Sequence, residues 1–343
     1  MTLLRGDDPA ALAAAAQRLA DGGLVAFATE TVYGLGARAD DDAAVAGIFA
    51  AKGRPADHPL IVHVAALAQA ATFAAELPAA ARRLGEAFWP GPVTVIVPRR
   101  AGIGEAAAGG QASIGLRCPS HPVAQALLRE AARRGVPGVA APSANRFGRV
   151  SPTSAAHVVQ EFGPALWVLD GGDCPVGIES AIVDCSRGAP VLLRPGVLTR
   201  AQLEAALGEP LRTADAQAPR APGTLASHYA PRAPVRLLPT AALARALDAA
   251  DADAPRAGAG LAVYSRQLGQ GRAGVLWQRR PDDPAALAHE LFAVLRRFDD
   301  EGAAEIWVEQ PPDDPAWEGV NDRLRRAALT PSDADGIPDE SVP

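Results

Sequence analysis

Lysine is nearly missing from this chain: of 33 basic residues only Lys52 is a lysine, and every other is arginine. Cysteine occurs three times, at Cys118, Cys174 and Cys185, with no CxxC pair and no metal-type spacing. An odd count without such spacing excludes a disulfide framework and leaves the thiols as small buried hydrophobes. Six histidines are scattered without an HExxH, so no zinc site is expected. No apolar run approaches the roughly 20 residues needed to cross a bilayer. The N-terminal stretch MTLLRGDDPAALAAAAQRLADGG is interrupted by Asp7, Asp8 and Gln17 and lacks the pattern of an export signal. A cytoplasmic location without membrane association is the expectation. The net charge of -6 argues against a protein that holds nucleic acid by diffuse positive charge.

What is present is a globular composition, 48% hydrophobic and 21% charged over 343 residues, enough for one large domain or two ordinary ones. Periodicity predicts helices over 9–20, 41–52, 78–88, 121–134, 153–162 and 199–207. Short apolar runs predict strands at 23–29, 59–64, 92–98 and 112–117, at 138–145 running into a loop, and in ALWVLD, SAIVDC and PVLLRPG. That mixture predicts an α/β open sheet that is not purely parallel. Residues 208–233 are dense in Pro and Ala and read as a linker, long enough to cross a site. A second, smaller α/β domain is expected over 234–330, after a first domain over 1–207. The acidic tail 331–343 reads as disordered.

Four segments carry chemistry. Thr29-Glu-Thr-Val-Tyr-Gly-Leu-Gly36 follows a buried strand, where open α/β sheets place ligands; its hydroxyls and N–H groups suit a carboxylate or phosphate, or merely cap a turn. Lys52-Gly-Arg54 ends a helix, with Gly53 and Pro55 fixing the turn. Two cations there suit a triphosphate, or interact with the helix dipole. A coding bias toward Ala, Gly, Pro and Arg would replace any lysine that arginine can substitute. Lys52 therefore marks either a need for a compact ammonium or a chance survival. Ser143 and Asn145, one of only two asparagines, come off a strand in PSAN. Gly177-Ile-Glu-Ser180 and LLRPG, with Arg194, complete the set. Neither GxGxxG nor GxxxxGK[ST] occurs, which disfavours nicotinamide-binding and P-loop enzymes.

The run TETVYGLG, KGRPADHPLIVH, RCP, PSAN, GIES and LLRPG resembles, in order and spacing, the YrdC-like family and specifically its two-domain threonylcarbamoyl-AMP synthases. APGTLASHYAPR (221–232) is similar to the linker motif before their smaller domain. The resemblance implies a YrdC-like twisted open mixed sheet with a concave, positively charged cavity, plus a Rossmann-like C-terminal domain. It implies synthesis of threonylcarbamoyl-AMP from L-threonine, bicarbonate and ATP with Mg²⁺, the first step of tRNA N6-threonylcarbamoyladenosine formation. The product would pass to a tRNA threonylcarbamoyl transferase complex, and weak RNA binding stays open. Residue by residue, it implies a threonine site of Thr31, His63, Arg117, Ala141 and Ser180. The ATP site would comprise Arg54, His58, Ser113, Ser143, Asn145, Ser151, Arg194 and Tyr229, with Lys52 and Arg54 as the catalytic cations. The chain departs from the family at His58, where Asn is usual, and at Ala181, where Thr is usual. The linker around His228 and Tyr229 is expected to close the cavity, anchored by the smaller domain.

Overall fold

The computed structural model describes residues 3–225, 227–252 and 260–329. The expected acidic tail lies outside the described residues. Contacts divide the chain into two compact units. The first comprises Met1–Phe147 with Ser151–Thr224, and the second Gly148–Val150 with Leu225–Pro343. The expected linker is thus shared between them: its first part belongs to the first unit and its remainder to the second.

In the first unit β1 (Leu3–Arg5), α1 (Pro9–Ala20), β2 (Val25–Phe27), β3 (Gly34–Arg38), α2 (Asp42–Lys52) and β4 (Ile61–His63) follow in order. Next come α3 (Leu67–Phe73), α4 (Ala79–Phe88), β5 (Val93–Pro98), β6 (Ser113–Arg117), α5 (Pro122–Arg133), β7 (Val139–Ala140) and α6 (Ala155–Phe162). The unit ends with β8 (Trp167–Asp170), β9 (Ala181–Asp184), β10 (Val191–Arg194), α7 (Arg200–Leu207) and β11 (Arg212–Thr213). The eleven strands form one mixed sheet in the order β1-β8-β2-β3-β7-β4-β6-β5-β9-β10-β11. One apolar cluster joins α1 and α5 to the sheet through Ala15, Leu19, Phe27, Leu127 and Leu128. A larger one gathers Ile48 and Phe49 of α2, Leu84 of α4 and Leu203 of α7 around Leu35, Val62 and Val95.

Local chemistry sets the elements that matter for the site. Asp41 caps α2 by accepting from the N–H groups of Ala43 and Ala44. Gly53 ends it in the left-handed region at φ 63°, and the Arg54 N–H reaches back to Phe49 O at 3.1 Å. Lys52 and Arg54 therefore leave a turn of fixed geometry. The strand β3 begins within the Thr29–Gly36 segment, at Gly34, and runs on to Arg38. Its pairing is close: a Cβ at Gly36 would sit 2.8 Å from Val139 Cγ1 and 2.9 Å from Phe27 Cε1. Glycine there signals tight packing rather than a turn.

The second unit contains β12 (Val235–Leu238), α8 (Thr240–Ala252), β13 (Leu261–Ser265), β14 (Val275–Arg279), α9 (Pro284–Asp300), β15 (Glu305–Glu309) and α10 (Glu318–Ala328). Its four strands run parallel in the order β12-β15-β13-β14. Tyr229, at φ 62°, is buried in this unit, with its ring stacked 5.5 Å from Phe292 and the Arg323 guanidinium 5.4 Å from its centroid.

Candidate active site

Lys52 does not project into solvent. It is buried, and its Nζ donates to Ser143 O at 2.6 Å and to Asn145 O. In return the Phe147 N–H donates to Lys52 O at 3.0 Å. The KGR turn and the PSAN loop are thereby buttoned together across 91 residues of sequence. The Phe147 ring completes the junction: the Arg54 guanidinium lies 5.6 Å from its centroid and the His58 ring meets it edge-on at 5.3 Å. Arg54 also donates from Nη2 to Pro59 O at 3.0 Å. Burial, and after it the charge of Arg54, pushes the Lys52 ammonium well below its usual range and lowers the His58 imidazolium too. Two cations held this close are costly, and an incoming polyanion relieves that cost.

A second group surrounds Arg117. Its Nη2 pairs with Glu30 Oε1 at 2.7 Å, both side chains being about 5% exposed. Its Nε donates to Gly91 O. His63 ends β4 beside Arg117 at the end of β6, in register across the parallel pair. Burial first, and the Arg117 charge second, push the His63 imidazolium down to about 3, so the ring is neutral at neutral pH. Thr29 Oγ1 donates to Val32 O at 2.6 Å and shares a 2.9 Å contact with Thr31 Oγ1, which fixes the hydroxyl of Thr31. The N–H groups of Val176 and Gly177 donate to Glu30 O and Thr31 O and stitch this loop to the GIES segment. Ala141, after β7, donates its N–H to Ile61 O at 2.9 Å.

A third group joins the last two motifs. Ser180 Oγ lies 2.9 Å from Thr94 Oγ1. Arg194 donates from Nε and Nη2 to Ser180 O at 3.1 and 2.9 Å, and from Nη1 to Pro222 O at 2.8 Å. Ser151 donates to Glu179 Oε1. Ser113 lines a small cavity with Pro59, Thr94, Arg220 and Pro222. Residues 220–222 cross this face: Gln111 exchanges two hydrogen bonds with the Arg220 main chain, and Ala221 packs against Ile61, Ile96 and Ile182.

The structure thus gathers thirteen of the fourteen expected site residues in the first unit, in these three groups with Ser113 beside them. Tyr229 belongs to the second. Sequence reading passed over Glu30, Thr94, Phe147 and Glu179. Glu30 stood inside a motif already singled out, and Thr94 is the lone polar residue of an apolar strand. Glu179 likewise stood inside the Gly177–Ser180 segment and Phe147 just past PSAN, but neither residue type carried a signal of its own.

The family model described as "Telomere recombination", covering Sua5, YciO and YrdC, matches residues 17–196. The model for the C-terminal domain of threonylcarbamoyl-AMP synthase matches residues 198–329. The chain belongs to the threonylcarbamoyl-AMP synthase family. It is 37% identical over 321 residues to the Pyrococcus abyssi threonylcarbamoyl-AMP synthase, covering 92% of this chain and 93% of that one. With the Bacillus subtilis threonylcarbamoyl-AMP synthase it shares 36% over 333 residues, 95% and 94% of the two chains. The crystal structure of P. abyssi Sua5 complexed with L-threonine superposes with a TM-score of 0.83 at 36% identity, covering 94% of this chain and 95% of that one. No described helix is long and apolar enough to cross a membrane. The three cysteines are free and buried.

Two outcomes check this geometry. A Cβ at Gly196 would lie 2.5 Å from Ala181 N and 3.0 Å from Ser180 C, so Gly196→Ala must push the LLRPG turn off Ser180. A loss of about 1–3 kcal/mol in denaturant unfolding is expected, together with a raised KM for threonine. An unchanged unfolding midpoint would mean the turn relaxes freely. The second outcome concerns His63. Its folded-state value lies below the ordinary imidazole value of 6.5, so between 6.5 and about 3 the unfolded chain holds the extra proton. The stability is complete above 6.5 and is lost as pH falls. Going from pH 6.5 to 5, wild type should lose about 2 kcal/mol more than His63→Gln. Parallel pH profiles for the two would show that His63 is not buried neutral.

Proposed function

We propose that this chain condenses L-threonine, bicarbonate and ATP to threonylcarbamoyl-AMP and pyrophosphate, as the first step of tRNA N6-threonylcarbamoyladenosine formation. The observation that carries the reading is the junction of Lys52 and Arg54 with the Ser143–Asn145 loop, together with a separate group around the buried Arg117. One group suits a triphosphate, the other an amino acid.

In this reading Arg117 takes the threonine carboxylate, with Thr31, His63, Ala141 and Ser180 around the rest of the molecule. A neutral His63 beside Arg117 adds no positive charge that would hold the substrate amine's lone pair in a hydrogen bond. The amine, once deprotonated, attacks the carbon of bicarbonate with loss of water, or of CO₂ derived from it with loss of a proton to solvent, and gives the carbamate. A carbamate oxygen then attacks the α-phosphorus, and pyrophosphate leaves. Both reactants of this second step are anionic, so the site's work is neutralisation and alignment. Lys52 and Arg54 supply the fixed positive charge. Asn145 and Ser143 hold the nucleotide against them, with His58, Ser113, Ser151 and Arg194 completing its surroundings. The Arg194–Pro222 contact and the packing of Ala221 put residues 220–222 over Ser113, so nucleotide entry requires that segment to lift.

The described residues contain no group of three or more His, Cys, Asp or Glu side chains that suits a cation. In this reading Mg²⁺ arrives with the nucleotide substrate. The role of Tyr229 toward ATP rests on the linker motif alone. Transfer of the product to tRNA falls to a separate transferase complex.

The test is pyrophosphate release from ATP by the purified chain with bicarbonate and single amino acids. Release that depends on both threonine and bicarbonate, with threonylcarbamoyl-AMP detected by mass, is expected. Release driven instead by carbamoyl phosphate would overturn the reading.

A further inference from the structure

Thr94 is the polar exception in β5. Val93, Val95 and Val97 join the larger apolar cluster on one face of the sheet. Thr94 and Ile96 share the other face, where Ile96 packs with Ile61, Ile182 and Ala221. The Thr94 methyl is turned toward Gly115, 3.5 Å from where a Cβ there would sit. The hydroxyl meets Ser180 Oγ at 2.9 Å, one residue before β9. Both residues are fully buried.

Hydroxyl protons in such a place need acceptors. Two hydroxyls in one contact carry two protons, and the contact uses one. Among the described residues neither Oγ bonds a carbonyl or a carboxylate. The other neighbour of Ser180 Oγ is itself a donor, Arg194 Nη2 at 3.3 Å. The pair therefore holds one proton for which the described chain has no acceptor. Thr94 stands in an apolar stripe and can place its proton only on Ser180. Ser180 Oγ then accepts from Thr94 and from Arg194, which fills both lone pairs and leaves its own proton for an acceptor outside the chain. The Thr29–Thr31 pair is built the opposite way. Thr29 spends its proton on Val32 O at 2.6 Å, so Thr31 is the donor in their 2.9 Å contact. Thr31 is left with lone pairs to offer, and Ser180 with a proton.

We infer that Thr94 is a positioning residue, which fixes the Ser180 hydroxyl as a hydrogen-bond donor to an oxygen of the amino-acid substrate. The inference rests on the reading of Ser180 as part of the threonine site. A hydroxyl that accepts a hydrogen bond is also a better donor, so loss of Thr94 frees the Ser180 side chain and weakens its bond to the substrate together.

A double-variant cycle, read as the KM for threonine and the KM for ATP in pyrophosphate release, tests this. Thr94→Val keeps the branched shape and removes the hydroxyl. It should raise the KM for threonine about fivefold, the net worth of one hydrogen bond, and leave the KM for ATP unchanged. Thr94→Ser keeps the hydroxyl and should keep the wild-type value. In a Ser180→Ala background, Thr94→Val should add nothing to the threonine KM, because its effect runs through Ser180. The melting temperature gives a second readout. Ser180→Ala strands the Thr94 proton, and the double variant, which removes the stranded group, should melt higher than Ser180→Ala alone. Four results overturn the inference: an unchanged threonine KM in Thr94→Val, equal rises in both KM values, an undiminished rise in the Ser180→Ala background, or a double variant that melts no higher. A wild type that releases no threonine-dependent pyrophosphate removes the reading of the site itself, and the inference with it.

Discussion

Lys52→Ala is expected to reduce threonine-dependent pyrophosphate release by about 10²–10³-fold, the scale of removing one preorganised charge from a site where charge develops. Two effects combine. The ammonium is lost beside Arg54, and so is the fastening between the KGR turn and the PSAN loop. Ser143 O and Asn145 O each lose a donor in the interior, at about 1–3 kcal/mol per unsatisfied group. The variant should therefore melt lower by several degrees as well as react slowly, and its turnover must be measured well below its own transition. Lys52→Arg separates charge from shape. A guanidinium keeps the charge but is larger and planar, and two carbonyls converging on one small ammonium leave it no room. Arginine should restore neither activity nor the melting temperature. Turnover within about threefold of wild type in either variant, on the same scale, would remove Lys52 from the machinery.

That lysine was visible in the sequence as an anomaly, but not what it does. Composition showed a lone ammonium at a helix end, which pointed toward a cradle with a plain helix cap as the alternative. The structure adds a third, a tether between distant loops, which only the sheet's pairing order creates. The elements with strong local signals were legible: α2 lies between Asp41 and Gly53 because an acidic cap and a left-handed glycine bound it. In β3, Gly34 and Gly36 imitate a loop, yet their missing side chains are what let the strand approach Ala141, Phe27 and Val139. The short helix α3 has no side-chain cap at Ala66 and gave no start signal. Residues 220–222 were read as linker because no period runs through them. They are ordered by side chains from elsewhere, Gln111, Asp57 and Arg194, and such long-range ties leave no local trace.

The ion pair between Glu30 and Arg117, 87 positions apart, was hidden for the same reason and carries the other large expectation. A buried arginine costs several kcal/mol to desolvate unless a carboxylate accompanies it. Glu30 offsets that cost, and together with Gly91 O it sets the direction of the guanidinium. Glu30 is a positioning residue, acting on threonine through Arg117. Glu30→Gln keeps the shape and removes the charge, so about 3–5 kcal/mol of stability should go with the broken pair. Stability alone does not distinguish positioning from structural support, but the kinetic split does. If Arg117 takes the threonine carboxylate, the KM for threonine should rise about tenfold or more, the equivalent of about 1.4 kcal/mol. The KM for ATP should hold within about twofold, because the Lys52–Arg54 junction does not touch Glu30. Glu30→Asp keeps the charge on a shorter arm and should recover part of the threonine affinity. Equal rises in both KM values, or a variant that melts early yet binds threonine normally, would show that the pair supports the fold and does not aim Arg117.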